Sequence, residues 1–219
     1  MQDALPVSTE TRPQRSASRR RRSRLALALR ALAILFIAGG LAIGGDLAWE
    51  LWGTGYTTQR LQAEMRPNFE KRIGTKAPTD PTANAVRVPG NAVAILKIPR
   101  IDLNIVVVEG TETESLKRGP GHYSDTAYPW QDHGRVGIAG HRTTYLHPFY
   151  DLNEMREGDP IILETEYGTF RYVVTSVFVI TPDNSSVLDQ TKNPTLVLTT
   201  CNPRYSAAER LIVIASRLS

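Results

Sequence analysis

The stretch TLVLTTCNP, residues 195–203, indicates how this chain folds. Its first six residues are β-branched or apolar, which is typical of a buried β-strand. Asn202 and Pro203 follow as a turn pair, and proline cannot continue a hydrogen-bonded ladder. Cys201, the single cysteine of the 219-residue chain, lies between the strand and the turn. The sequence therefore predicts a thiol at the rim of a β-sheet, facing an opening rather than the core.

Two further apolar runs place basic side chains at strand ends. Arg210 directly precedes the run at 211–215, and His141 follows the run at 136–139 by two residues. A thiolate is the reactive form of cysteine, and an imidazole can carry its proton to a leaving group. A guanidinium can stabilise a developing oxyanion. Together with Cys201, these residues favour nucleophilic catalysis on a carbonyl group.

Most of the remaining apolar pattern also indicates strands. Alternating or β-branched runs cover 92–98, 105–108, 160–164 and 169–180, and short helical pieces are predicted at 111–117, 148–155 and 185–188. With the three runs above, this gives about seven strands and a few single-turn helices. The pattern predicts a mainly β fold, a closed or nearly closed β-barrel of about 125 residues.

The positive charge of the chain is concentrated in its first 24 residues. This stretch holds seven arginines and two acidic residues, a net charge of +5, whereas the whole chain carries +4. The pI of about 9.3 therefore describes an N-terminal tail, residues 1–24, and not the folded domain. A nucleic-acid-binding tail is a poor explanation, because such tails are not usually joined to a hydrophobic segment of the kind that follows.

Residues 25–52 are predicted to form a transmembrane anchor. Residues 25–45 are apolar apart from Arg30, and a bilayer-spanning helix needs about 20 mostly apolar residues. Trp49 and Trp52 suit the aromatic belt at the far interface. Because positive residues favour the inner side, we expect the N-terminus in the cytoplasm and the catalytic domain outside the cell. A cleaved signal peptide is the alternative, although the apolar stretch is long for one.

Residues 53–90 are predicted to be an extracellular stalk and linker. A short helical or extended piece at 55–72 is followed by KAPTDPTANAVRVPGNA, residues 76–92, with three prolines and few bulky apolar side chains. A lone extracellular cysteine cannot form an internal disulfide, so Cys201 is expected to be either used or buried. The structural alternative is a small buried hydrophobic residue.

Three motifs together resemble the sortases, the membrane-anchored cysteine transpeptidases of Gram-positive bacteria. They are VGIAGHRTTYLHPFYDL (136–152), LTTCNP (198–203) and ERLIV (209–213). The likeness covers residues 91–219, the predicted catalytic barrel, and implies a sortase-type β-barrel of seven to eight strands with short helices. It also implies that Cys201 is the nucleophile, His141 the proton carrier and Arg210 the residue that positions substrate and stabilises the tetrahedral intermediate.

The stretch RGPGHYSDTAYPW, residues 118–130, is most similar to the actinobacterial housekeeping type called class E. That resemblance implies LAxTG-type sorting signals and a tyrosine that helps to read them, for which Tyr123 is the match. One departure is Asn202, where many relatives of this type have a histidine. His122 and Thr200 are further candidates for substrate contact. Thr200 is otherwise an ordinary strand residue, whose backbone or hydroxyl could line the oxyanion site.

Other interpretations exist for several of these residues. Three further histidines, His122, His133 and His147, compete with His141 for the role of proton carrier. Arg210 could instead form a surface ion pair, which is worth at most about 1 kcal/mol. No pair of His, Cys or carboxylate residues has the spacing of metal ligands, so neither a metal nor another cofactor is predicted.

The sequence thus predicts a transpeptidase that cleaves a C-terminal LAxTG- or LPxTG-like sorting signal between Thr and Gly through a thioacyl-enzyme. The expected partners are surface proteins that carry the signal, the amine of a lipid-linked peptidoglycan precursor, and the cytoplasmic membrane. No nucleic acid is expected, and the protein is predicted to be a monomer. Two alternatives stay open. One is a pilus-polymerising sortase, although no lid-like segment is evident between residues 73 and 95, and the other is a non-catalytic, membrane-tethered barrel that binds a wall component.

Overall fold

The computed structural model describes residues 15–73 and 90–218. Most of the tail expected at 1–24, and most of the linker expected at 76–92, therefore lies outside the described residues. The chain divides into two compact units, Met1–Leu47 and Ala48–Ser219.

The described part of the first unit consists of a long helix, α1 (Arg15–Ala48), whose last residue belongs to the second unit. A π-helical turn, Trp49–Gly53, and a second helix, α2 (Thr54–Ile73), follow it in the chain. The helical stretch from Arg24 onward is long and apolar enough to cross a membrane, and none of its most apolar window is buried against protein. A core helix of a globular domain would be covered by protein. This exposed apolar surface is instead compatible with contact to lipid. The predicted N-terminal apolar helix is therefore confirmed.

The second unit is a closed barrel of eight strands. The strands are β1 (Ala92–Ile98), β2 (Leu103–Glu109), β3 (Gly121–His122), β4 (Arg135–Ala139), β5 (Pro160–Thr165), β6 (Gly168–Ile180), β7 (Thr195–Asn202) and β8 (Glu209–Arg217). Their order around the barrel is β1-β2-β3-β4-β7-β8-β6-β5, and β5 pairs with β1 to close it. The pairs β2–β3 and β4–β7 are parallel, and the others are antiparallel. The predicted closed β-barrel is confirmed.

Short helical turns connect the strands. They are α3 (Thr113–Leu116) and 3₁₀ turns at Pro99–Ile101, Leu152–Glu154 and Ser186–Leu188. The helical piece predicted over 148–155 is thus reduced to one turn, and the two-residue strand β3 is too short to give a periodic signal in the sequence.

The core lies inside the barrel and consists of the apolar residues at alternate positions along each strand. Leu196 and Leu198 of β7, Val136 and Ile138 of β4, and Val213 of β8 all belong to it. Residues between these positions project from the outer face, because successive side chains of a strand point to opposite sides. The helix α2 packs on the outside of this second unit, where Phe69 forms a small buried cluster with residues of β1 and β2.

Candidate active site

Cys201 and Arg210 form a directly opposed pair on neighbouring strands. In the antiparallel register of β7 and β8, Cys201 lies opposite Arg210, as Thr199 lies opposite Ile212. Opposed residues project from the same face of a sheet, with Cβ atoms about 4.5–5.5 Å apart. Leu198 points into the core, so the alternating position of Cys201 faces outward. The thiol and the guanidinium therefore share the outer face of the barrel.

His141 follows the end of β4, the strand on the other side of β7. The parallel register of β4 and β7 ends with Ala139 opposite Thr199, and the Gly140 N–H donates to the Thr199 carbonyl at 3.1 Å. His141 and Cys201 each come two residues after this last pair. His141 therefore follows β4 at the end of the β4–β7 pair at which Cys201 lies, and its Nε2 atom makes no hydrogen bond to the thiol. The imidazole, thiol and guanidinium thus come from the same end of three neighbouring strands, β4, β7 and β8.

The imidazole of His141 is partly buried and suited to proton transfer. Its Nε2 atom is buried and has no hydrogen-bond partner among the described residues. The Tyr145 ring packs against it, with ring centroids 4.9 Å apart. Burial lowers the pKa of His141, because the charged form loses hydration. The ring is therefore mainly neutral near pH 7 and able to accept a proton.

The side chain of Arg142 holds the end of β7 through hydrogen bonds. Its side chain is 5% exposed, and Nη1 donates to the Cys201 carbonyl at 3.1 Å and to Asn202 Oδ1 at 3.2 Å. Its Nε donates to the Tyr150 carbonyl at 2.9 Å and its Nη2 to Asn153 Oδ1 at 2.8 Å. Burial lowers the pKa of Arg142, yet an arginine stays charged in proteins. The sequence analysis missed this residue, for which the available signal was an arginine directly after the histidine.

Tyr123 lies over the outer face of β4 and β7. Its hydroxyl forms a hydrogen bond with Thr199 Oγ1 at 3.0 Å, two residues before the cysteine. Gly137 lies beneath it, and a Cβ there would come within 2.9 Å of Tyr123 Cδ2 and 3.1 Å of Leu188 Cδ2. A larger residue at 137 would push these side chains away from the sheet. Tyr123 and Leu188 therefore cover Gly137 on the outer face of β4.

Comparison with known proteins identifies the family. Residues 96–218 match the model of the Sortase domain. The chain belongs to the sortase family. This membership makes it a cysteine transpeptidase, and the sequence prediction of family and enzyme class is confirmed.

Individual relatives agree with this assignment. Sortase D of Bacillus subtilis is 33% identical over 196 residues, which cover 85% of this chain and 97% of that protein. The structure of the Sortase D5 transpeptidase from Clostridium perfringens superposes with a TM-score of 0.66 at 26% identity, covering 73% of this chain and 99% of that one. Sortase E from Streptomyces avermitilis gives a TM-score of 0.55 at 38% identity, covering 60% and 91%.

His122 of this sortase is a buried member of a hydrogen-bond network. It is 1% exposed, its Nδ1 lies 3.1 Å from Glu109 Oε2, and its Nε2 lies 3.0 Å from the Ala127 carbonyl. The Thr126 hydroxyl, 3.2 Å from the same Nε2, also binds the Gly137 N–H at 3.0 Å. The structure thus does not bring His122 to the outer face with the thiol, but connects it to the strand under Tyr123.

The remaining candidates occupy different positions. The Thr200 side chain is buried and donates its hydroxyl proton to the Gly140 carbonyl at 2.7 Å, which joins the ends of β4 and β7 on the inner side. Arg210 donates through Nη1 to the carbonyls of Ala207 and Glu209, both at 2.9 Å. His147 is exposed and packs edge-on against Tyr150. Within ranges 15–73 and 90–218, no three His, Cys, Asp or Glu side chains are grouped to hold a metal ion.

Proposed function

We propose that this sortase cleaves a C-terminal LAxTG- or LPxTG-like sorting signal between Thr and Gly and transfers the protein to an amine of a lipid-linked peptidoglycan precursor. The observation that carries the proposal is that His141, Cys201 and Arg210 come from the same end of three neighbouring strands, β4, β7 and β8, with Cys201 directly opposite Arg210. Together they supply a nucleophile, a proton carrier and an oxyanion donor.

In the first half-reaction, the Cys201 thiol passes its proton to the neutral imidazole of His141, and the sulfur attacks the Thr carbonyl carbon. The negative charge that develops on the carbonyl oxygen is stabilised by the Arg210 guanidinium. The intermediate collapses as the C–N bond breaks, and the departing glycine amine takes the proton from His141. The products are a thioester on Cys201 and the released C-terminal peptide.

In the second half-reaction, an amine attacks the thioester carbonyl and loses a proton to the neutral His141. The C–S bond then breaks, and the proton returns to the sulfur of Cys201. A new amide joins the substrate protein to the precursor, and the enzyme returns to its starting state. The lowered pKa of His141 suits both proton acceptances, because the neutral imidazole predominates near pH 7.

We assign to Tyr123 the contact with the residues of the signal that precede the scissile bond. Its side chain is partly exposed, and its hydroxyl is bonded to Thr199, two residues before Cys201. Tyr123 would contact the signal directly. His122 and Thr200 are both buried, so they would support Tyr123 and the ends of β4 and β7 without touching substrate.

We assign the protein to class E, with class D as the competing assignment. Identity to the Streptomyces avermitilis sortase E structure is 38%, against 26% to the Clostridium perfringens Sortase D5 structure, although the latter covers more of this chain. A peptide competition separates the two: a class E enzyme is expected to turn over an LAxTG-like peptide faster than an LPxTG-like one. Preference for the LPxTG-like peptide contradicts class E.

We propose a single-pass membrane protein with residues 1–24 in the cytoplasm, residues 25–52 in the bilayer and the barrel outside, acting as a monomer. The arginine-rich stretch before the apolar helix supports this orientation. In intact cells, an N-terminal tag should be protected from protease and a C-terminal tag should be cleaved. A protected C-terminal tag contradicts a role in the cell wall.

The function is tested with the full chain in detergent, given fluorescent sorting-signal peptides and either a peptidoglycan-like amine or a lysine-bearing pilin peptide. We expect a thioester adduct on Cys201 and transfer to the peptidoglycan-like amine. Exclusive transfer to the pilin lysine favours the pilus-polymerising alternative. The non-catalytic alternative requires that no adduct forms and that a soluble thiol reagent labels Cys201 slowly, although the residue is partly exposed.

A further inference from the structure

The helix α2 attaches to the barrel through a polar stripe, which is unusual for a packed helix. Thr54, Thr58, Gln62 and Arg66 recur every four residues and so lie on one face. Thr58 donates to the Lys117 carbonyl at 2.7 Å. This face holds side chains that bond to specific backbone groups, and it therefore fixes the helix in one register on the barrel.

The last two members of the stripe, Gln62 and Arg66, bind strand β2. Gln62 donates through Nε2 to the Val106 carbonyl at 3.0 Å, and its Oε1 accepts the Val106 N–H at 2.9 Å. Arg66 donates through Nη2 to the Asn104 carbonyl at 2.8 Å. Buried amides that bond both backbone groups of one residue tolerate little sliding. These contacts anchor α2 far from the catalytic residues.

The first member of the stripe, Thr54, reaches a different part of the molecule. Its side chain is 5% exposed, and its hydroxyl oxygen accepts a hydrogen bond from the backbone N–H of Tyr145 at 3.2 Å. The hydroxyl proton is donated to the Glu50 carbonyl at 2.9 Å. The next residue, Gly55, lies close enough that a Cβ there would be 3.8 Å from the Leu146 nitrogen. The start of α2 therefore contacts the segment that follows the catalytic histidine.

That segment has a backbone that needs support. Tyr145, Leu146 and His147 have φ values of 51°, 66° and 38°, three consecutive non-glycine residues in the left-handed region. Each such residue costs of the order of 1–3 kcal/mol and persists only where surrounding contacts hold it. The hydrogen bond from Tyr145 to Thr54 is such a contact. We call residues 145–147 the left-handed turn.

The left-handed turn in turn contacts His141. The Tyr145 ring packs on the imidazole at 4.9 Å, and the His141 carbonyl accepts the Phe149 N–H at 3.2 Å just beyond the turn. Since His141 lies past the end of β4, no strand ladder fixes its side chain. Movement of Tyr145 would therefore move or expose the imidazole.

We propose that Thr54 is a positioning residue for the catalytic histidine: its hydroxyl holds the left-handed turn, and the turn holds the His141 imidazole beside Cys201. The helix that follows the apolar segment is thus part of the catalytic apparatus and not a spacer. This inference rests on the proposed role of His141 in proton transfer.

The test uses the full chain in detergent and four substitutions on α2. Thr54→Val keeps the shape and removes the acceptor, whereas Thr54→Ser keeps the acceptor. Thr57→Val makes the same change at an exposed position of the same helix. Thr58→Val removes a helix attachment that ends at Lys117 instead of the left-handed turn. Melting temperatures report the effect of each change on the fold.

The first readout is steady-state transpeptidation. Thr54→Val should lower kcat by about tenfold or more with little change in KM, because misplacement of a catalytic group weakens the chemical step and Thr54 does not touch substrate. Thr54→Ser should retain most of the rate, and Thr57→Val all of it. An equal loss of kcat in Thr58→Val and Thr54→Val would mean that α2 only supports the fold, and would overturn the inference.

The second readout needs no substrate. The His141 imidazole is titrated by NMR, and its signal is assigned by loss in His141→Gln. Thr54→Val should move the pKa of His141 upward toward its ordinary value, because a loosened turn admits water to the ring. Tyr145, the titratable side chain that packs on the ring, is unchanged in all four variants. An unchanged titration in Thr54→Val overturns the inference.

A third measurement requires no substitution and remains decisive if Thr54→Val fails to fold. Amide hydrogen exchange at Tyr145 should be slow in the unaltered chain, because its N–H is bonded to a buried hydroxyl. Rapid exchange there overturns the inference. Failure of the unaltered chain to form a thioester would instead contradict the proposed function, while the titration and exchange results would still decide the position of His141.

Discussion

The three side chains that we propose to be catalytic are held in two different ways. Cys201 and Arg210 face each other on β7 and β8, where eight consecutive residue pairs fix the register. His141 lies beyond β4 and is held by Tyr145, which is itself held by Thr54 of α2. The nucleophile and the arginine thus depend on the sheet, whereas the histidine depends on contacts from outside it. Substitutions should therefore affect the two parts differently.

The largest effect is expected for Cys201→Ala. This substitution removes the proposed nucleophile and leaves strands β7 and β8 undisturbed. No thioester adduct should be detectable by mass spectrometry, and the melting temperature should stay close to that of the unaltered chain. The partly exposed thiol makes no described side-chain hydrogen bond that the fold would miss. Any residual adduct would show that another residue is the nucleophile.

The next largest effect is expected for His141→Ala. Loss of the proton carrier should reduce transpeptidation by about 10²- to 10⁴-fold. Single-turnover experiments should show slow thioester formation, since the thiol and Arg210 remain in place. A variant that forms the thioester at the normal rate would remove His141 from the first half-reaction. His133→Ala, at an exposed histidine outside this segment, is the matched control and should be fully active.

Arg210→Lys tests the other sheet-held residue with a smaller expected effect. Lysine keeps the charge but loses the planar fork of donors, so the rate should fall by at least about tenfold, or roughly 1.4 kcal/mol of transition-state stabilisation. Arg171→Lys, at an exposed position on β6, should have no effect. A normal rate for Arg210→Lys would mean that charge alone suffices, and a normal rate for Arg210→Ala would end its catalytic assignment.

Tyr123→Phe should have a moderate effect on both stability and substrate use. The substitution removes the hydrogen bond to Thr199, worth about 0.5–1.5 kcal/mol, and leaves the ring over Gly137. We expect a few-fold rise in KM for the sorting-signal peptide and a small fall in melting temperature. Tyr56→Phe, at an exposed tyrosine, serves as the control. An unchanged KM would show that the hydroxyl does not help to bind the signal.

The smallest effect concerns the pH dependence of stability. The pKa of His141 is lowered in the folded state, so its contribution is fully present above the ordinary value of about 6.5 and is lost as pH falls through the folded-state pKa. Glu109 also has a lowered pKa, and its contribution is lost only at more acidic pH, below about 4.3. Urea unfolding of His141→Gln should show a flatter dependence in the histidine range alone. An identical profile would mean that burial does not perturb this imidazole.

The sheet could be predicted from the sequence because its signals are local. The runs that became β1, β5 and β6 were apparent from alternation, and the runs around Cys201 and Arg210 gave both their strands and the chemistry at the strand ends. The positions of Cys201 and Arg210 follow from the strand boundaries. The register that opposes them does not, because the six-residue connection 203–208 does not by itself fix which residues of β7 and β8 pair.

The contacts that support the site could not be predicted in the same way. The barrel-facing stripe of α2 is polar, so the hydrophobic period that marks a packed helix is missing, and the sequence suggested a stalk there. In the sequence, Arg142 cannot be distinguished from a surface arginine. The four hydrogen-bond acceptors around its side chain are evident only in the structure. His122 is next to Tyr123 in the chain, yet its side chain faces the buried carboxylate of Glu109. Only the fold shows which way this side chain points.

The place of β8 in the barrel couples folding to activity. β6 and β7 follow each other in the chain, yet β8 lies between them and pairs with both. β8 therefore joins two parts of the sheet and also brings Arg210 opposite Cys201. Barrels dominated by non-local pairing fold in milliseconds to seconds. We expect activity toward the sorting signal to return on refolding only as the barrel forms, because the arginine lies opposite the thiol only when β8 is paired.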